Sequence, residues 1–128
     1  MGVLRKTEMV LLLSAATLGC TLLSGCTMTY VQRAETAYDE GRYLEVAEQL
    51  AKREADMPNT SSAQRARYGV YRGLALLRLG DYEGAERWLS YARGLDQQLN
   101  DDQRTKLDAG VAQLTELRGV DDVARAQR

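Results

Sequence analysis

The 128-residue chain has no histidine and no phenylalanine, one proline, one tryptophan and two cysteines. Without an imidazole it cannot build a Ser–His or Cys–His nucleophile, a histidine general base or a histidine metal site. Both cysteines, Cys20 and Cys26, lie near the start, so residues 27–128 can form no internal disulfide. An excess of one charge is missing as well: 17 Lys and Arg face 18 Asp and Glu, a formal charge of −1. That balance argues against a nucleic-acid partner, since phosphate contacts need a basic face. No HExxH, CxxC, GxSxG or P-loop pattern occurs. The acid pairs Asp101-Asp102 and Asp121-Asp122 have no EF-hand context and sit where carboxylates favour a helix start. The expectation is therefore no enzyme, no cofactor and no metal. Alternating β-branched and aromatic runs are absent too, which leaves an all-α chain of one small domain.

What is present begins with a segmented N-terminus. Arg5 and Lys6 precede Met9–Leu23, 15 residues without a charge. A spanning helix needs about 20 apolar residues, so this run is short for a permanent anchor. A basic start, a short apolar run and small residues after it read as a secretory signal. The next four residues, Leu23-Ser24-Gly25-Cys26, resemble the lipobox of bacterial lipoproteins. The resemblance implies lipidation of Cys26, removal of residues 1–25 as a signal peptide, and acylation of the new amine. Cys20, after Thr17-Leu18-Gly19, is the competing position, but cleavage there would cut the apolar run early. Thr27 stands where an aspartate would hold a Gram-negative lipoprotein at the inner membrane. The implied location is the outer membrane, facing the periplasm.

Residues 26–128 carry 15 basic and 17 acidic residues and two self-similar segments. Gly41 aligns with Gly80, Tyr43 with Tyr82, Val46 with Ala85 and Leu50 with Leu89, each pair 39 apart. This pattern resembles the tetratricopeptide repeat, two antiparallel helices per unit. Repeat one spans about 28–58 and places Tyr30, Arg33, Ala34 and Ala37 on its first helix. Val46, Leu50 and Pro58 fall on the second helix and its exit. Repeat two spans about 62–98, with Gly69, Arg72, Gly73 and Leu76 ahead of Ala85 and Leu89. Arginine replaces leucine at both helix-one positions, neither repeat opens on tryptophan, and Gln97 stands where the second proline would. The implied fold is a short, two-repeat solenoid of helical hairpins closed by a C-terminal capping helix over about 101–118.

Local chemistry supports the same helices. Gly80 suits a left-handed helix end and Asp81 caps the next start. Pro58 breaks the chain, and Ser61 or Ser62 caps the third helix. Gly69 and Gly73 share one helix face, a cost in propensity that a closely packed neighbour would justify. Asn100 with Gln103 forms a capping-box start, and Leu107, Val111, Leu114 and Leu117 make one stripe. Arg118-Gly119 reads as its end, with residues 120–128 a frayed turn or a short sixth helix after Asp121-Asp122, fraying being the preferred reading.

In the repeat family the first helices line a concave groove. Carried over, that groove comprises Val31, Glu35, Tyr38 and Asp39 from repeat one, then Arg67, Val70, Leu74, Leu77 and Arg78. An apolar surface flanked by arginines would seat a peptide or helix of an envelope protein. Tyr43, Tyr82 and Tyr91 are expected in the core, and Tyr38, Tyr68 and Tyr71 partly exposed. Trp88, one residue from the Ala85/Leu89 stripe, reads more as packing than as a contact residue. These features imply a non-catalytic adaptor for an envelope, pilus or secretion machine. The alternative is a structural subunit that self-associates, because two repeats fall short of the three usually needed for stability.

Overall fold

The computed structural model describes residues 28–128; the lipobox with Cys26 lies outside them. Five α-helices run in order: α1 Tyr30–Asp39, α2 Tyr43–Lys52, α3 Ser62–Arg78, α4 Tyr82–Arg93 and α5 Asp101–Ala126. Short 3₁₀ helices, Glu54–Asn59 and Asp96–Gln98, join α2 to α3 and α4 to α5. No strand occurs among the described residues. The chain is two stacked helical hairpins and then one long helix.

Each boundary has a chemical cause. Thr29 caps α1 through a hydrogen bond from the Gln32 N–H, and Gln32 Oε1 accepts from the Thr29 N–H at 2.9 Å. Asn100 and Gln103 repeat this reciprocal box at the start of α5. Ser61 caps α3, and Asp81 caps α4 by accepting from the Gly84 N–H at 2.9 Å. The two hairpin turns are built alike. Gly41 and Gly80 adopt φ of 77° and 82°, a left-handed geometry that other L-residues adopt at a cost. The Arg42 and Asp81 N–H groups then donate back to the carbonyls of Ala37 and Leu76. Pro58 sits in the 3₁₀ connection and cannot donate to extend it.

α3 lies at the centre and is buried on two faces between Ala66 and Leu77, its arginines at the margins only half-buried or exposed. One of its faces meets α1 and α2 over Val31, Ala34, Val46, Leu50, Tyr68 and Tyr71. Its other face meets α4 and α5 over Val70, Leu74, Leu77, Ala85, Leu89, Leu107 and Leu114. The glycine pair explains the tightness of α3 on α4. A Cβ on Gly69 would lie 3.0 Å from the Trp88 carbonyl, and one on Gly73 would lie 2.7 Å from the Leu89 side chain.

Three expectations are corrected. α5 does not stop at Gly119 but continues to Ala126, so residues 120–126 are helical rather than frayed. Gly119 is exposed with open space around it and keeps an ordinary helical backbone. The tyrosines exchange roles: Tyr68 and Tyr71 are fully buried, whereas Tyr91 is 37% exposed. Tyr68 and Tyr71 lie on the face of the central α3 that α1 and α2 cover.

Candidate functional site

The concave groove implied by the repeat resemblance is largely filled by the protein itself. α5 lies across α3, so Val70, Leu74 and Leu77 are core residues, and Gly110 approaches Leu74 so closely that a Cβ there would overlap it. Val31 is buried in the other core layer. Val70 and Leu74 are therefore removed from any partner surface. Glu35, Tyr38 and Asp39 do gather, with Arg78 nearby, but mainly around internal contacts. Glu35 accepts from the Tyr71 hydroxyl at 2.8 Å, and Asp39 pairs with Lys106 of α5 at 3.4 Å. Tyr38 packs against Tyr43 and Tyr71, with ring centroids 5.2 and 5.7 Å away, and Arg78 lies 5.7 Å from the Tyr43 ring. Arg67 remains half-buried on α3. What is left is a cavity of about 120 Å³ beside Tyr38, Leu74, Arg78 and Lys106, too small for a peptide, and a separate one of about 340 Å³ on α1 beside Glu35, Gln32 and Met28.

A larger cleft opens on another side. It measures about 720 Å³ and is lined mainly by apolar surface. Met57 and Pro58 contribute from the first 3₁₀ helix, Trp88, Tyr91 and Leu95 from α4 and its exit, and Glu54 and Arg65 add charge. The wall rests on a bonded network. The buried Tyr68 hydroxyl donates to the Leu50 carbonyl at 2.5 Å and accepts from Arg72 at 2.7 Å. Arg72 also pairs with Glu54 at 2.7 Å, and its guanidinium lies 4.5 Å from the Trp88 ring centroid. Arg87 approaches the same ring at 5.2 Å. Tyr68 and Tyr91 pack edge-on against Trp88, their centroids 5.2 and 5.7 Å away.

Two donors of this network lack acceptors. The Trp88 Nε1–H and the Arg72 Nε–H are buried with no partner among the described residues. An unsatisfied buried donor costs about 1–3 kcal/mol, so the network around Trp88 is incomplete. The Arg65 side chain bonds the Ser62 hydroxyl at 3.1 Å and forms no ion pair among the described residues, while Glu54 of the same cleft is paired with Arg72. No match to this chain is found among known protein families, curated proteins or solved structures. The site is therefore judged on its own chemistry. No group of three metal-ligating side chains occurs among the described residues. The cleft offers shape, apolar area and hydrogen-bond donors, which suit binding.

Sequence reasoning passed over Met57, Pro58, Arg65, Tyr91 and Leu95 as site residues. Trp88 was visible as packing, and at 6% exposure it packs. Its position at the edge of a cleft depends on the 3₁₀ connection folding back toward α4, which no periodicity reveals.

The buried phenols make stability sensitive to alkaline pH. Burial pushes Tyr68 up to about 12, against the opposing charge and hydrogen bond of Arg72. Tyr71 is raised further, by burial first and then by its bond to the Glu35 carboxylate. In the unfolded chain both ionise near 10. Their contribution is thus complete below pH 10 and is lost as pH rises through the folded values. Melting temperature is expected to fall between about pH 10 and pH 12, less steeply in Tyr68→Phe. Equal slopes in both proteins would show that Tyr68 is not the coupled group.

Proposed function

We propose that this chain is a lipid-anchored adaptor of the bacterial cell envelope with no catalysis of its own. The lipobox-like Leu23-Ser24-Gly25-Cys26 supplies the anchor, and the absence of aspartate at Thr27 favours the outer membrane, periplasmic side. No helix among the described residues is long and apolar enough to cross a membrane. The observation that carries the reading is the short path between anchor and domain. α1 starts at Tyr30, so residues 27–29 are all that separate Cys26 from the fold. Extended chain reaches about 3.3–3.6 Å per residue, so the domain is held on the order of 10 Å from the lipid. Stacked tetratricopeptide-like hairpins with an apolar cleft then act as a docking module, engaging an envelope protein close to the membrane.

Cys26→Ala is expected to leave a precursor that keeps residues 1–25 and stays at the inner membrane. Globomycin treatment of the wild type should also accumulate a precursor that keeps residues 1–25, and mass spectrometry of the mature protein should find acyl chains on Cys26. Normal maturation and fractionation of Cys26→Ala would end the anchor reading.

A self-associating envelope subunit is the second reading. It is favoured by Val120 and Val123 on the extension of α5, 63% and 58% exposed. Light scattering on the full chain in detergent separates the two. A defined oligomer that dissociates in Val120→Asp supports the subunit, and a monomer supports the adaptor.

A further inference from the structure

We infer that the cleft between the first 3₁₀ helix and α4 is the adaptor's docking site, and that it takes an extended peptide segment carrying an apolar side chain beside a carboxylate. This rests on the adaptor reading and names its surface and ligand chemistry. The apolar requirement comes from Met57, Pro58, Tyr91 and Leu95, which together offer a concave wall for one side chain. The acidic requirement comes from charge. Glu54 is already neutralised by Arg72 at 2.7 Å, which leaves Arg65 as the cleft's uncompensated charge. A carboxylate on the segment meets a planar guanidinium suited to bidentate pairing. The backbone requirement comes from hydrogen bonding. Of the buried donors without acceptors among the described residues, the Trp88 Nε1–H belongs to a residue of the cleft lining, with the Arg72 Nε–H on the network behind it. Trp88 is only 6% exposed, yet it lines the cleft. An extended segment brings carbonyl oxygens, the acceptor that the indole N–H of the cleft-lining Trp88 lacks.

A bilayer is the competing occupant, since this end of the bundle is also where the chain leads back to Cys26. Arg53, next to the 3₁₀ helix, lies 4.9 Å from the Tyr30 ring at the start of α1. Shape favours the peptide: the surface is a cleft of about 720 Å³ rather than a plane. The anchor then has a specific role: it holds the cleft near the membrane, where the segment is presented.

Trp88 is the chain's single tryptophan, so its emission reports on this cleft alone. The full chain in detergent micelles is used to select binders from a phage-displayed library of random linear peptides. Synthetic peptides of the selected sequences are then titrated while Trp88 emission is monitored. Expected are sequences with an apolar residue next to Asp or Glu that shift the emission. Arg65→Glu should weaken them by about tenfold or more. Gly94→Gln, which adds a side chain at the rim without a close contact, should block them while circular dichroism stays unchanged. Peptides that bind with no change in emission and ignore both variants would overturn the cleft assignment, as would a library that yields none. Quenching of Trp88 by brominated phosphatidylcholine in proteoliposomes, unaffected by peptide, would assign the cleft to the bilayer instead. In either failure, in-envelope cross-linking of the wild-type chain decides the adaptor reading separately, because a cross-linked partner retained in Gly94→Gln means docking through another face.

Discussion

Ala85→Glu is expected to abolish cooperative folding of the domain. Ala85 is fully buried on α4, in the core layer it shares with Leu74, Leu77 and Leu89. A carboxylate placed there loses its hydration and finds no designed partner. Such burial costs several kcal/mol even after the group shifts towards its neutral form. Small domains have only about 5–15 kcal/mol in total. Overpacking adds to this, because Gly69 and Gly73 bring α3 so close to α4 that no slack remains for a longer side chain. Thermal melting by circular dichroism checks it, with Glu83→Ala on the exposed side of α4 as the neutral control. A near-wild-type transition for Ala85→Glu would place Ala85 on the surface and invalidate the packing of α4 on α3.

The second large effect concerns α5. A chain ended at Leu99 should lose its cooperative transition and bind hydrophobic dyes, because Val70, Leu74 and Leu77 lose their cover. Leu107 and Leu114 leave with the helix, each a buried side chain at 0% and 6% exposure. Full burial of a leucine contributes about 1.5–3 kcal/mol, so two deleted leucines and the uncovered face of α3 together approach the stability of the whole domain. A chain ended at Gly119 keeps every buried residue of α5, since residues 120–128 are all exposed. It should melt within a few degrees of the full chain. The contrast between the two truncations is the measurement. If the chain ended at Leu99 melts as the full chain does, α5 is an appendage, and the groove on the first helices is open after all.

That contrast also bears on where a partner docks. A two-repeat solenoid with a bare concave face would offer Glu35, Tyr38, Asp39, Arg67 and Arg78 to a ligand. Here α5 lies over α3, and its Lys106, paired within the helix to Asp102 at 2.9 Å, reaches across to Asp39 of α1 at 3.4 Å. These exposed ion pairs contribute little to stability. The apolar contacts of Gly110, Leu107 and Leu114 hold the helix in place. The docking site proposed above is therefore the cleft beside Trp88.

Much of this was legible in the residues themselves, because it depends on local chemistry. The hairpin turns come from glycine's access to positive φ at Gly41 and Gly80. The helix starts come from side-chain acceptors at Thr29, Ser61, Asp81 and Asn100. The close approach of α3 and α4 comes from two small residues on one helix face. Each feature is set within about one or two helical turns, where sequence spacing and spatial spacing coincide. The site was not legible for the opposite reason. Tyr68 bonds to Leu50 across 18 positions, Tyr71 to Glu35 across 36, and Lys106 to Asp39 across 67. Which face of α3 stays open depends on where α5 lies, and an apolar stripe on α5 shows that it must be covered without showing by what. The sequence alone determined the helices, their caps and the lipobox-like start. Tertiary packing alone decided that the first-helix groove is closed and that Trp88 borders a cleft, because burial is a property of the whole assembly of helices and not of any one of them.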